Sequence, residues 1–365
     1  MSRLQCLGWK VIAAGNADEH VSTLADAGIP FEEVTIDRSG LAPTKQVSAY
    51  RQLRRLYRRH QPDLIHHFQA KPVILGCAAA KSYSQAKVVN TITGLGHAFV
   101  AGGFKRWLAS AGYRAVLGRA AKTIFQNPDD QRLFIDQRLV HAESSHLIVG
   151  SGVNVDQFRP SVIEADKPQK VLMVARLLWE KGVNEFVAAA RRIRQTMPHV
   201  RFQLTGEFAE EHPNGVPREF VGRCVEEGLI EYLGYSNNVP ALLGESTVVV
   251  LPSYYREGVP RVLLEAAACG RPVVTADTPG CRESVEHEVT GFLVPPRDAT
   301  ALADQTQRLL GDVELCRRMG SAGRLRVERQ FDERIIAEQY LELYRQIGFD
   351  LPQEGLEEYF HAEVA

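Results

Sequence analysis

Residues 247–276, TVVVLPSYYREGVPRVLLEAAACGRPVVTA, constrain the chain more than any other stretch. The apolar, β-branched run 247–251 has the length and composition of a buried strand. A polar loop follows over 253–259. Pro260 suits the first turn of a helix, where its missing N–H costs nothing, and the helix is expected over 260–269. Gly270 can take the left-handed cap, Arg271-Pro272 stops the helix, and Val273-Val274 starts a second strand. Strand, loop, helix, strand is the unit of a parallel sheet flanked by helices. It puts the loop at a strand's carboxyl end and a helix's N-terminus, where open α/β sheets bind ligands and anions.

Two acids frame that loop. Glu257 is the last acid before the helix, and Glu265 stands about one and a half turns inside it. At ~3.6 residues per turn their directions would differ by roughly 80°, so they could reach different parts of one extended ligand. The helix dipole favours an acid at a helix start by itself, by up to ~1 kcal/mol, so the spacing needs support from the rest of the chain.

The rest of the chain alternates strand and helix signals. In the first half strands are expected over 9–15, 31–36, 63–67, 88–93, 123–126 and 147–149. Helices are expected over 17–27, 45–60, 73–82, 107–119 and 127–137. In the second half strands are expected over 171–174, 201–205, 230–234 and 291–294 besides the two above, with helices over 184–195, 239–243, 299–310, 315–331 and 332–347. The division read from this is a first Rossmann-like domain over 1–153, a linker and hinge over 154–170 carrying Pro160 and Pro168, and a second Rossmann-like domain over 171–331. A last helix over 332–349 and a polar, acidic tail over 350–365 complete it.

Composition narrows the class. The chain has 365 residues, 45% hydrophobic and 24% charged, as a globular protein of two ordinary domains has. Cys6, Cys77, Cys224, Cys269, Cys281 and Cys316 form no C-x-x-C pair, so neither a zinc site nor a disulfide framework is indicated, and a reducing cytoplasm fits. No apolar run approaches ~18 residues, and no secretion signal opens the chain. Charge is lopsided: residues 1–160 hold 20 Lys and Arg against 12 Asp and Glu, and the remainder holds 23 against 32. Two basic amphipathic stretches, 45–60 and 104–122, account for much of this. They are either solvated helix faces or a surface for anionic lipid, where each basic residue adds ~1 kcal/mol. No nucleic-acid-binding motif accompanies them.

The ordered motifs resemble the retaining glycosyltransferases of family 4, which have the GT-B fold. Glu257, seven residues, Glu265 and then Ala266-Ala267-Ala268-Cys269-Gly270-Arg271-Pro272-Val273-Val274 match the donor-site signature. Pro279-Gly280-Cys281-Arg282-Glu283 and Gly291-Phe292-Leu293-Val294-Pro295-Pro296 continue the likeness downstream; Val174-Ala175-Arg176-Leu177 and Glu180-Lys181-Gly182 do so upstream. Within the family, Arg38-Ser39-Gly40-Leu41, Thr93-Gly94-Leu95-Gly96 and Phe125-Gln126-Asn127-Pro128-Asp129-Asp130 resemble bacterial enzymes of capsule, O-antigen and lipid-linked oligosaccharide synthesis. The resemblance implies two doubly wound, Rossmann-like domains facing across a cleft. It implies transfer of a sugar from a nucleotide-sugar, a UDP-sugar by this likeness, to a saccharide acceptor, lipid-linked or polysaccharide. The place of work would be the cytoplasm, peripheral to the inner face of the plasma membrane. A GT-B nucleotide-sugar epimerase and a non-catalytic nucleotide binder are the alternatives. One departure stands out: the family has a strand and most of a helix before the segment that begins here at Leu4. The first domain is therefore expected to lack its central first strand, unless 9–15 is itself the first strand of a shorter sheet.

Roles follow from the resemblance residue by residue. Arg176 and Lys181, in one loop at a strand's carboxyl end, would clamp the leaving diphosphate and make a metal or other cofactor unnecessary. Glu265 would hold the ribose hydroxyls. Glu257 would lie at the transferred sugar, with the N–H groups of Gly258 and Val259 on its hydroxyls; Pro260 has none to offer. Glu207 would border the base or diphosphate. By their places in the chain rather than by the resemblance, His97 would touch acceptor or sugar, one of His66 and His67 would face the cleft while the other packs, and Arg38 and Lys71 would meet a lipid diphosphate on the acceptor. Glu257 as nucleophile and Glu257 as electrostatic support are both open at this point.

Overall fold

The computed structural model describes residues 1–18, 21–37, 42–83, 85–95, 103–161 and 168–351, and over these the chain alternates strands and helices. It divides into two compact units. The first holds residues 1–90, 116–122 and 337–365; the second holds 91–115 and 123–336.

In the first unit, strand β1 (Ala13–Gly15) pairs in parallel with β2 (Phe31–Glu33), and the two make a sheet of their own. The strand expected from residue 9 is thus only three residues long. Trp9 instead packs its ring on Tyr344 and Phe349, 6.3 and 5.1 Å between centroids. Strand β3 (Leu64–Phe68) belongs to a different sheet, beside β4 (Lys87–Ile92). The helix Pro43–His60 explains the unit's core. Leu53 and Tyr57, four apart and so on one face, are buried with Val34, Ile65, Ala79 and Ala80. Arg51, Arg55, Arg58 and Arg59 fall on the exposed face. Gln61, left-handed at φ 44°, ends the helix.

In the second unit, β5 (Lys122–Phe125) and β6 (Ser145–Leu147) pair in parallel. Six more strands form one parallel sheet: β7 (Lys170–Val174), β8 (Arg201–Thr205), β9 (Glu231–Tyr232), β10 (Val248–Leu251), β11 (Val273–Ala276) and β12 (Gly291–Val294). Every residue of β10 and β11 is buried, as the unbroken valine runs require of a sheet covered on both faces. The covering helices pack in pairs, Val183–Arg194 with Ala299–Gly311 and Arg261–Ala268 with Val313–Gln330. The order is β12-β11-β10-β7-β8-β9. The chain therefore runs outward from β7 to β9, returns to β10 beside β7, and runs outward the other way. Open α/β sheets bind ligands at such a reversal, which here falls at the carboxyl ends of β7 and β10.

The helix Glu333–Gln346 begins in the second unit, and its residues from Ala337 belong to the first. Residues 91–115 and 123–153, read from sequence with the first domain, group here with the second unit, because 93–94 and 126–127 pack on the loop that carries Glu257. Among the described residues no helix is long and apolar enough to cross a membrane.

Candidate active site

The loops after β7 and β10 hold one another. After β7 the chain makes one tight turn, Trp179–Lys181, closed by left-handed Gly182. The carbonyl of Glu180 in that turn accepts the N–H groups of Tyr254 and Tyr255 from the loop after β10. Ser253, fully buried, has its hydroxyl 3.2 Å from the same carbonyl and 3.1 Å from Glu257 Oε1. Lys181 Nζ donates to Glu257 Oε1 in an ion pair, and the Tyr255 ring centroid lies 5.3 Å from the same ammonium. Both side chains of the pair are mostly shielded from solvent, 16% and 13% exposed, so their attraction is stronger than it would be in water. Arg176, also after β7, is exposed, and its guanidinium has no partner among the described residues.

Beyond Glu257 the main chain turns into the helix Arg261–Ala268, with Pro260 as its N-cap, one residue later than expected. The N–H groups of Gly258 and Val259 make no hydrogen bond among the described residues. A Cβ on Gly258 would run into the Gln126 side chain and lie 2.9 Å from the Thr93 carbonyl. A Cβ on Gly94, where φ is +107°, would stand 2.5 Å from the Gly258 nitrogen. Only glycine lets these backbones meet. Glu265, inside the helix, is 14% exposed and paired with Arg261 at 3.1 Å. Burial pushes its carboxyl pKa up, and Arg261 pulls it part of the way back. Glu207 follows β8 at the same end of the sheet, with its side chain exposed and its carbonyl accepting the Leu177 N–H.

Sequence reasoning missed the residues that hold this loop from behind. Asn127 caps the helix Pro128–Asp136: its Oδ1 accepts the Asp130 N–H at 2.8 Å. Its Nδ2 then lies 3.0 Å from the Glu257 carbonyl, 3.2 Å from the Gly258 carbonyl and 3.1 Å from Asp130 Oδ2. Asp130, 1% exposed, accepts Arg256 Nη2 at 2.7 Å. Burial raises its pKa against the opposing pull of Arg256. Asp129 meets Arg282 at 3.0 Å, from the loop after β11. The one usable signal was Asn127 itself: an asparagine that caps with its oxygen still has an amino group to place.

Residues 154–326 match the family model described as glycosyl transferases group 1, and residues 1–127 match the model described as glycosyl transferase 4-like. The chain belongs to glycosyltransferase family 4. It is 29% identical over 348 residues to the N,N'-diacetylbacillosaminyl-diphospho-undecaprenol alpha-1,3-N-acetylgalactosaminyltransferase of Campylobacter jejuni, covering 90% of this chain and 89% of that one. It is 26% identical over 284 residues to the UDP-Gal:alpha-D-GlcNAc-diphosphoundecaprenol alpha-1,3-galactosyltransferase of Escherichia coli, covering 73% and 71%. Anabaena HepE, solved in complex with UDP-glucose, superposes with a TM-score of 0.77 at 22% identity, covering 94% of this chain and 96% of that one. The fold is GT-B, with two Rossmann-like units, and the protein is an enzyme of sugar transfer.

The remaining residues singled out in this glycosyltransferase lie in the first unit or outside the described residues. Arg38 and His97 are outside. Lys71 Nζ bonds the Asp37 carbonyl, and burial lowers its pKa, with Asp37 opposing. His66 Nδ1 is 2.6 Å from the Tyr344 hydroxyl, and its ring stacks on Phe68. His67 is buried: Nδ1 lies 2.9 Å from Asn90 Oδ1 and Nε2 lies 2.8 Å from the Tyr57 hydroxyl. An amide oxygen only accepts, so Nδ1 carries the proton and Nε2 accepts from Tyr57. Burial pushes the His67 pKa down to about 4 and that of His66 to about 3.

Proposed function

We propose that this glycosyltransferase moves a hexose-type sugar from a UDP-sugar to a lipid-linked saccharide, with retention of anomeric configuration, in building a bacterial surface polysaccharide. The observation that carries the reading is the set of donors on the loops after β7 and β10: among the described residues the Arg176 guanidinium and the Gly258 and Val259 N–H groups have no partner, and Lys181 is held only by the Glu257 carboxylate and the Tyr255 ring. A donor's diphosphate would draw Lys181 and Arg176 to its oxygens. Losing Lys181 frees Glu257 to accept from a sugar hydroxyl, while Gly258 and Val259 donate to others. Glu265 holds the ribose and Glu207 borders the base or diphosphate. The acceptor oxygen then bonds the anomeric carbon on the face that the diphosphate leaves. The carbon–oxygen bond to phosphate breaks, and the acceptor proton passes to the departing phosphate. The two cations do the work of a metal, so none is required. The relatives support donor and acceptor classes: both are named for diphospho-undecaprenol-linked sugars, and one for UDP-Gal.

His97, Arg38, Lys71 and His66 are assigned to the acceptor side, the two cations to its lipid diphosphate. Residues 38–128 carry 15 Lys and Arg and a single acid, Asp63. Trp107, 63% exposed, adds an apolar anchor on the helix Gly103–Val116. This suits peripheral attachment to an anionic inner membrane face, with no nucleic-acid partner. Sedimentation with anionic but not neutral vesicles checks it. Calorimetric titration with UDP, GDP and ADP tests the donor site. UDP binding weakened at least about tenfold by Glu265→Ala is expected, the loss of a charged hydrogen-bonding group. Silence from all three nucleotides would overturn the reading.

A further inference from the structure

The geometry points to Asn127 as a positioning residue for sugar transfer, one that aims the two N–H donors of the Glu257 loop. The argument rests on the reading of that loop as the sugar site. A trans peptide unit is planar, with its C=O and N–H pointing opposite ways. The Glu257 carbonyl and the Gly258 N–H belong to one such unit, and the Gly258 carbonyl and the Val259 N–H belong to the next. Asn127 Nδ2 lies 3.0 and 3.2 Å from the two carbonyl oxygens. Holding both oxygens on one side turns both N–H groups to the other, where the described residues offer no acceptor. Gly280 lets the chain close over the same two carbonyls, since a Cβ there would overlap both.

Asn127 is in turn fixed by its own helix. Its oxygen is committed to the Asp130 N–H, so the amide cannot flip without losing the cap. Asp130 anchors Arg256, the residue before Glu257, by Nε and Nη2 at 3.2 and 2.7 Å. The loop is therefore held at its side chain before Glu257 and at its main chain after it. Lys181 holds the Glu257 carboxylate independently. Removing the Asn127 amino group should leave nucleotide binding alone and loosen only the groups that meet the sugar.

Asn127→Ser separates this role from capping, because serine caps as well as asparagine but has no amino group. Two quantities decide: the UDP released from the best of UDP-glucose, UDP-galactose, UDP-GlcNAc and UDP-GalNAc, and the ratio of UDP to UDP-sugar dissociation constants. Asn127→Ser is expected to lower kcat about 10- to 100-fold, the cost of a misplaced site, and to erase any preference for UDP-sugar over UDP. The Kd of UDP stays as in wild type, while the melting temperature falls by about the few degrees that the orphaned buried carbonyls cost, since Asn127 is fully buried. Turnover and preference both within threefold of wild type would overturn the proposal, as would a loss of UDP binding that matches the loss of kcat. Glu257→Gln is the control for the underlying reading. If Glu257→Gln leaves turnover and sugar preference intact, the sugar-site reading fails; if it abolishes them while Asn127→Ser does not, only the positioning role fails.

Discussion

The two units differ in how the polar groups singled out in each are partnered. In the first, the His67 ring spends both nitrogens on protein partners, Tyr57 and Asn90, although Asn90 Nδ2 beside it is buried without a partner among the described residues. In the second, among the described residues, the Gly258 and Val259 N–H groups and the exposed Arg176 guanidinium have no partner, and Glu265 is mostly buried on a helix with one partly exposed partner, Arg261. Closed polar networks fix a core; open ones at a strand's carboxyl end wait for a ligand. The difference supports the proposed placing of the chemistry at the loops after β7 and β10 rather than at the histidines, although histidine is the commoner catalytic side chain.

The largest expected effect comes from blocking the open network. A methyl on Gly258 meets Gln126 and Thr93 and must push the loop away from Asn127. Gly258→Ala should cut turnover of UDP-sugar by about 100-fold, as displacements near 1 Å do. Steady-state UDP release measures it. Turnover near wild type would mean the loop has slack that the comparison denies.

The sequence carried the sheet well and the latch poorly. The valine-rich runs at 248–251 and 273–276 read as buried strands and are buried parallel strands, with the loop after the first at its carboxyl end as expected. Arg176, Lys181, Glu257, Gly258, Val259 and Glu265 were all placed at one end of one sheet by counting along the chain. Asn127, Asp130 and Arg256 were not, because their partners lie 126 to 131 residues away and local pattern reading sees only a capped helix. The short β1 had a similar cause. Residues 9–12 are apolar enough for a strand, but Trp9 finds aromatic partners from the far end of the chain, which no periodicity reveals.

The next effect tests the closed network. His67→Leu leaves the Tyr57 hydroxyl without the ring, an orphan that costs about 1–3 kcal/mol, while Asn90 Oδ1 keeps the Cys77 thiol at 3.2 Å. The wild type should also show an acid slope. Unfolded histidine takes a proton below about 6.5, whereas folded His67 resists until about 4. Stability is then complete above pH 6.5 and falls as pH drops towards 4, by up to about 1.4 kcal/mol per pH unit for each such histidine. His66 acts in the same sense. Thermal melting from pH 7.5 to 5 reads the slope, and His67→Leu should remove the part due to His67. An unchanged slope in the variant would show that the ring is already solvated.

The smallest effect is the most direct test of the contrast, because it has the opposite sign. Burial raises the Glu265 pKa, so the folded state prefers the neutral acid. Its contribution to stability is present below the unfolded value of 4.5 and is lost as pH rises through the folded one. At pH 7.5 the protein therefore carries a carboxylate that burial disfavours and Arg261 only partly offsets. Glu265→Gln should raise the melting temperature by about 2–3 °C at pH 7.5, equivalent to roughly 1 kcal/mol, and the gain should vanish below pH 4.5. The same variant should bind UDP more weakly, because a neutral amide accepts from ribose hydroxyls less strongly than a carboxylate. Stability gained and affinity lost together would place Glu265 among groups kept strained for a ligand. A variant that loses both would show that the carboxylate is instead part of the closed packing, and the distinction between the two units would then stop at the Glu257 loop.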